Sequence, residues 1–204
     1  MPTNKEEREA GWVSVTEVLD AFIPKGLLDW YLRTGKKEAK RLGTIAMKIG
    51  SRVDELIQQD VAGGYKLSSK DPIEVKNCIE AWESFKRDYC PVVKATQVRL
   101  VDGFSKVVGN ADIVTDNTII DVKCSTSIRD NYWLQVAKYY EMLDVDMFPT
   151  VCKTAILRLD KNLGTYEYKI GKNVSQCQRV FDGLLEAYRF YNAPKEQEET
   201  CQTS

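Results

Sequence analysis

Two carboxylates and an amine define the chemistry open to this sequence. Asp112 lies in the apolar-flanked run Ala111-Asp112-Ile113-Val114, and Asp121 and Lys123 lie in Ile119-Ile120-Asp121-Val122-Lys123. Between the runs, Thr115-Asp116-Asn117-Thr118 reads as a tight reversal. With Asp116-Asn117 as a two-residue hairpin loop, Asp112 and Asp121 fall directly opposite each other, their Cβ atoms about 5 Å apart. Side chains alternate along a strand, so Lys123 shares the face of Asp121, while Ile113, Ile120 and Val122 turn to an apolar face. Opposed carboxylates repel unless a cation lies between them. Such a patch suits Mg²⁺ or Mn²⁺, hard cations that take oxygen ligands and often use only one or two carboxylates plus water and phosphate. An ion held there would polarise a phosphate and acidify a bound water. Lys123 beside it would hold or deprotonate the attacking water, or neutralise charge on the phosphate.

The order of these residues resembles the PD-(D/E)XK nuclease superfamily, with Asn110-Ala111-Asp112 in place of the nominal Pro-Asp and Asp121-Val122-Lys123 as the Asp-x-Lys. Asp-x-Lys alone is a weak signal. It gains specificity from Gln135-x-x-x-Tyr139, which is similar to the Gln-x-x-x-Tyr motif of the RecB-type branch and whose spacing puts both residues on one helix face. Upstream, Gly50-Ser51-Arg52-Val53-Asp54 resembles that branch's Gly-Thr/Ser-x-x-His, with Asp54 in the histidine position. The chain contains no histidine at all. The opening, from Trp12 to Tyr31, resembles phage-type and mitochondrial genome maintenance exonucleases, so the resemblance covers roughly residues 12–160.

The resemblance implies a restriction-endonuclease-like core: a central mixed β-sheet flanked by helices, with an N-terminal helical region. It implies a metal site of Asp54, Asp112, Asp121 and the carbonyl of Val122, with Glu55 the alternative to Asp54 and Gln97 standing where some members carry a glutamate. Lys123 would orient or activate water, and Gln135 and Tyr139 would buttress the site and meet the DNA. The implied activity is a Mg²⁺- or Mn²⁺-dependent DNA nuclease, an exonuclease of DNA processing, replication, recombination or repair, with a partner protein from those processes. An intracellular, cytoplasmic setting follows, in a bacterial host if the chain is phage-encoded. Two alternatives stand beside it: a nucleic-acid-binding or assembly protein that has lost catalysis, which the aspartate in place of histidine suggests, and a structure-specific endonuclease. Polarity, strand preference, DNA against RNA and oligomeric state stay open.

Bulk composition narrows the field further. A chain of 204 residues with 43% apolar content is expected to form one domain over 12–193, with a flexible stretch at 1–11 and a polar, disordered tail at 194–204. No run is long and apolar enough for a membrane helix, and the polar N-terminus is not a secretory signal. The six cysteines show no Cys-x-x-Cys spacing, which favours reduced thiols. Nothing before Cys78 could supply the first ligand of the iron–sulfur cluster found in some RecB-type nucleases, so none is expected. Without histidine there is no Ser-His-Asp triad and no histidine-based zinc site. A net charge of −1 argues against coating nucleic acid by charge alone. Charge is uneven, however: residues 25–52 carry eight basic residues against two acidic ones. That segment reads as a phosphate-contacting face including Lys37, Arg41, Lys48, Ser51 and Arg52, or as a solvated helix face that happens to be basic.

These residues need elements to place them. Ser14 with Glu17 makes a capping box for a short helix to about residue 22, and Pro24 opens another that ends near Gly35. Leu42, Ile45, Ala46, Ile49, Val53, Leu56 and Ile57 recur at helical spacing over 37–60, despite Gly50. Pro72 suits the first turn of a further helix with the stripe Val75, Ile79, Trp82 and Phe85, closed by Pro91. Strands are predicted at 92–101, 106–115 and 118–124, then a helix over 130–144, strands at 150–159 and 165–170, and a last helix over 173–192. The 12–90 part is thus helical and the 91–193 part carries the sheet. Lys138 is expected on a solvated helix face, with a phosphate contact as the sharper alternative. Trp30, Tyr31, Trp82, Phe85 and Trp133 are expected in the core.

Overall fold

The computed structural model describes residue 3 and residues 5–193. In chain order its elements are α1 (Lys5–Glu9), β1 (Val13–Ser14), α2 (Val15–Asp20), α3 (Lys25–Thr34), α4 (Lys36–Val61), α5 (Ile73–Tyr89), β2 (Val93–Asp102), β3 (Val107–Thr115), β4 (Thr118–Lys123), α6 (Asp130–Met142), β5 (Lys153–Leu159), β6 (Tyr166–Ile170) and α7 (Val174–Asn192). They form a six-stranded mixed sheet flanked by helices, the expected architecture. β2 and β3, β3 and β4, and β5 and β6 pair antiparallel, whereas β4 and β5 run parallel across the α6 connection.

The two faces of the sheet carry two cores, with β3 changing face between Ala111 and Ile113. Ile113, Ile120, Val122, Ala155, Leu157 and Leu159 face α4 and α5, where they meet Val53, Leu56, Ile79, Trp82 and Phe85. Val107, Ala111, Val114, Ile119 and Ile156 face α2, α6 and α7, where they meet Val18, Val136, Tyr139, Phe181 and Leu185. A strand buried on both faces reads as a near-continuous apolar run, as β4 and β5 do.

The hairpin between β3 and β4 turns where expected. Thr115 Oγ1 accepts the Thr118 amide and donates to the Thr118 carbonyl, both at 3.0 Å. The preceding reversal is longer than the Asp102-Gly103 turn anticipated. Asp102 Oδ1 accepts the amides of Phe104 and Ser105, and Lys106 takes a left-handed φ of 47° before β3 begins.

Several expectations need correcting. Residues 5–9, expected to be flexible, form α1, and Glu7 bonds Arg99 of β2 at 2.7 Å. The two-residue strand β1 was not expected; it pairs parallel with β3 at Val107 and Val108. β5 starts at Lys153 rather than 150, because Thr150 turns its hydroxyl to the Asp116 carbonyl. In α4 the apolar stripe is buried at Ile49, Val53, Leu56 and Ile57 but exposed at Leu42 and Ile45. The disordered tail expected at 194–204 lies outside the described residues.

Candidate active site

Asp112, Asp121 and Lys123 meet at a fork in the sheet. β3 and β4 pair at Ile113↔Ile120 and Val114↔Ile119, the register the hairpin loop requires. Pairing stops there, one step short of Asp112 and Asp121. Farther along the same edge of β3, β1 takes over at Val107 and Val108. Asp112 fills the resulting fork. Its Oδ2 accepts the Val122 amide at 2.8 Å, so a side chain takes a donor the ladder would otherwise use. Its Oδ1 accepts Gln97 Nε2 at 3.2 Å. The two acids therefore do not form a continuing ladder pair; Asp112 reaches one residue past Asp121. Asp121 is 1% exposed. Its Oδ1 accepts Lys123 Nζ at 2.9 Å, and its Oδ2 is buried without a hydrogen-bond partner.

The electrostatics follow from crowding acids in a dry place. Burial raises the Asp121 carboxyl to about 7, with Lys123 opposing the rise and Asp112 adding to it. Burial and then Asp112 raise Asp54 to about 7; Lys123 opposes and Asp121 adds. Burial also raises Asp112, against Lys123 and the amides of Val122 and Gln97. For Lys123, burial favours the neutral amine, but Asp121 and Asp112 outweigh it and push the group well above its ordinary value. Lys123 is therefore an ammonium at neutral pH, and its Nζ also lies 5.2 Å from the Tyr132 ring centroid. One ammonium faces three carboxylates, so the site has a deficit of positive charge.

That deficit decides what the residues could hold. All the side-chain donors are hard oxygens, and an orphaned buried carboxylate oxygen is the kind of group a cation satisfies. Among the described residues no three Asp, Glu, Cys or His side chains close into a ready metal cage. The donors thus fit an ion held by the two carboxylates Asp112 and Asp121, with Asp54 in their field rather than completing a cage. Asp54 and not Glu55 belongs to this cluster. Glu55 is exposed and accepts Arg52 at 2.8 Å.

Gln135 and Tyr139 stand on α6 behind the hairpin, both buried, with Gln135 Nε2 donating to the Tyr139 hydroxyl at 2.8 Å. Gly109 of β3 makes room for the tyrosine: a Cβ there would lie 2.4 Å from Tyr139 Cε1. Gly50 has no such reason, since a Cβ there would meet nothing within 4 Å.

The basic face divides. Arg41 is held by Glu38 of its own helix at 2.7 and 2.8 Å. Arg52 ties α4 to Asp71 at 3.0 and 3.1 Å as well as to Glu55. It also lies two residues from Asp54, on roughly the opposite flank of the helix. Both arginines are paired with acids of the chain. Lys48, Ser51 and Arg52 line an open depression of about 510 Å³, while Lys37 is exposed farther along α4. Lys138 is neither solvated nor a phosphate contact. It is 1% exposed and bonds Asp102 at 3.0 Å and Glu141 at 2.8 Å, joining α6 to the β2–β3 turn.

Sequence reasoning missed two features beside the site. Asp20 at the end of α2 is close enough to Lys123 for the ammonium to act on its carboxyl, which burial raises. A cavity of about 670 Å³ lies between α3 and the 126–131 segment leading into α6, lined by Trp30, Arg33, Arg129 and Asn131 among others. The aromatic–basic spacing of Trp30 and Arg33, i and i+3 on one helix face, was the available signal. Trp82 and Phe85 are core residues as expected, whereas Trp30 lines this cavity and Tyr31 is exposed.

No protein-family model matches the chain, and comparison with curated protein sequences also finds no match. Solved structures do resemble it. A candidate exonuclease from Eubacterium rectale superposes with a TM-score of 0.56 at 16% identity, over 94% of this chain and 85% of that one. The alkaline exonuclease LHK-Exo of Laribacter hongkongensis matches with a TM-score of 0.42 at 15% identity, over 92% of this chain and 95% of that one. A crystal structure of LHK-Exo in complex with dAMP matches with a TM-score of 0.36 at 16% identity, over 70% and 82%. At such identity the Eubacterium rectale protein shares the fold, and only the fold. No helix among the described residues is long and apolar enough to cross a membrane.

Proposed function

We propose that this protein is a metal-dependent DNA nuclease, an exonuclease that hydrolyses phosphodiester bonds in DNA processing, replication or recombination. The observation that carries the reading is the forked hairpin, where Asp112, Asp121 and Lys123 converge around a buried carboxylate oxygen with no partner. The RecB-type ordering of Gln135 and Tyr139 behind it, and the fold shared with a candidate exonuclease, support the same reading. Asp112 and Asp121 would hold a Mg²⁺ or Mn²⁺ ion, with the Val122 carbonyl and Asp54 contributing directly or through water. When bound, such an ion supplies positive charge that polarises the scissile phosphate and acidifies a water. Lys123, kept protonated in the metal-free chain by Asp121 and Asp112 against burial, can donate to water and to phosphate oxygen. Gln135 and Tyr139 hold the floor of the site through their mutual hydrogen bond. Trp30, Arg33 and Arg129 line a cavity that would receive part of a strand, by base stacking and phosphate pairing. Lys37 and Lys48 would steer the backbone.

Labelled single- and double-stranded DNA tests the reading directly. Mg²⁺-dependent shortening is expected with the wild-type protein, abolished by EDTA and reduced at least about 100-fold in Lys123→Ala. Undiminished cleavage in EDTA or in the variant contradicts it. A circular single strand that resists digestion marks end dependence, and one that is cut marks an endonuclease. The second reading, a DNA-binding protein without catalysis, is favoured by Asp54 in the position where the RecB-type motif carries histidine. It expects DNA retention with no turnover in either metal.

A further inference from the structure

Gln97 lies in the middle of β2 with a φ of 51°, in the left-handed region that residues other than glycine rarely enter. No turn or chain end calls for it. The ladder keeps one register on both sides, with Thr96 opposite Ile113 and Val98 opposite Ala111, which sets Gln97 across from Asp112. Three other described non-glycine residues share this backbone region, each at a boundary: Cys90 ends α5, Lys106 closes the β2–β3 turn and Asn173 starts α7. Gln97 alone among them lies inside a paired strand. Backbone strain within an over-determined element is a recurrent mark of a functional constraint.

That backbone carries an amide aimed at the site. Gln97 Nε2 lies 3.2 Å from Asp112 Oδ1, and the Val122 amide lies 2.8 Å from Asp112 Oδ2. One donor on each oxygen fixes the plane of the carboxylate, where a single donor would leave it free to rotate. A neutral donor does this without adding charge to a site already crowded with acids; a glutamate here would remove the donor and bring another. We propose that Gln97 is a positioning residue: its strained backbone holds the side-chain amide on Asp112 and so sets the orientation in which that carboxylate meets a divalent cation. The inference rests on the nuclease reading for the existence of the cation site, but it assigns Gln97 no contact with DNA.

The test titrates Mg²⁺ calorimetrically into wild-type protein, Gln97→Ala and Gln97→Gly without DNA, and melts all three in EDTA. Both variants lose the amide, and only glycine relieves the strain. Both are expected to bind Mg²⁺ about 10–100-fold more weakly, the loss usual when an outer hydrogen bond to a metal ligand is removed. Gln97→Gly is expected to melt about 2–4 °C above Gln97→Ala, the reverse of the ordinary order of these residues within a strand. Mg²⁺ affinity in either variant within about threefold of wild type overturns the positioning role, and an alanine variant that melts at or above the glycine variant overturns the strain. A wild-type protein that binds no Mg²⁺ defeats the cation site itself and the role of Gln97 with it. Normal wild-type binding with unaltered variants defeats Gln97 alone.

Discussion

Asp121 carries a cost that the fold accepts for the site. It is buried, one oxygen has no partner, and Asp112 and Asp54 share its field. Burying a carboxylate without full compensation is destabilising, so its removal has opposite effects on stability and activity. Asp121→Asn keeps the shape and removes the charge. At pH 8 without metal it is expected to raise the melting temperature by about 2–4 °C, the shift of roughly 1 kcal/mol in a chain this long, while DNA cleavage is lost. A fall in both would mean that Asp121 serves mainly as the structural partner of Lys123. Their proximity was legible in the sequence because a tight hairpin brings positions 112, 121 and 123 together; the directly opposed pair expected of the ladder is instead a fork, where Asp112 reaches the Val122 amide. Gln97 as a positioning residue was not legible, because nothing in its neighbours announces a left-handed backbone in mid-strand.

Between elements, the arrangement depends on close fits that no single segment encodes. Tyr139 of α6 packs over Gly109 of β3, and the space exists only because position 109 lacks a Cβ. Gly109→Ala is expected to cost about 1–3 kcal/mol in denaturant unfolding and to lower nuclease activity by moving Tyr139 off Gln135. Full activity in a variant destabilised by that amount would show that the pair does not support the site. The same dependence decides how the basic helix residues are engaged. Arg41, Arg52 and Lys138 read alike in the sequence, yet each pairs with an acid. Glu38 lies on the same helix and could have been anticipated from i, i+3 spacing. Asp71 and Asp102 could not, since they meet Arg52 and Lys138 only after the helices dock. Asp54 over Glu55 was likewise decided by docking: the core side of α4, set by Ile49, Val53, Leu56 and Ile57, brings Asp54 toward the fork and leaves Glu55 outside.

The whole molecule records the charge of its site in its pH dependence. Asp54 and Asp121 rise from an ordinary 3.8 to about 7 on folding. Between these values the folded chain keeps protons that the unfolded chain has released, so stability is highest below the lower value and is lost as pH rises through the upper one. In EDTA the melting temperature is therefore expected to fall from pH 5.5 to pH 8. Asp102, held near 2 by Ser105 and Lys138 against the upward pull of burial, acts in the opposite sense only in stronger acid. Mg²⁺ should stabilise more at pH 8 than at pH 5.5, because binding must displace those protons. A melting temperature that is flat or rising over this range, with no metal effect, would contradict the clustering of acids. At this scale the sequence was most informative, since alternation in β3, β4 and β5 and the stripes of α4 and α5 imply a sheet covered on both faces. It missed α1 and β1, which are too short for periodicity to register. The charge, the strain and the close fits all converge on the space between Asp112 and Asp121. Anomalous diffraction from crystals soaked in Mn²⁺ examines that space directly. The expected result is a peak within about 2–2.5 Å of a carboxylate oxygen from each residue, the Asp121 oxygen being Oδ2; no peak there at saturating Mn²⁺, or one bound only elsewhere on the protein, would contradict the account.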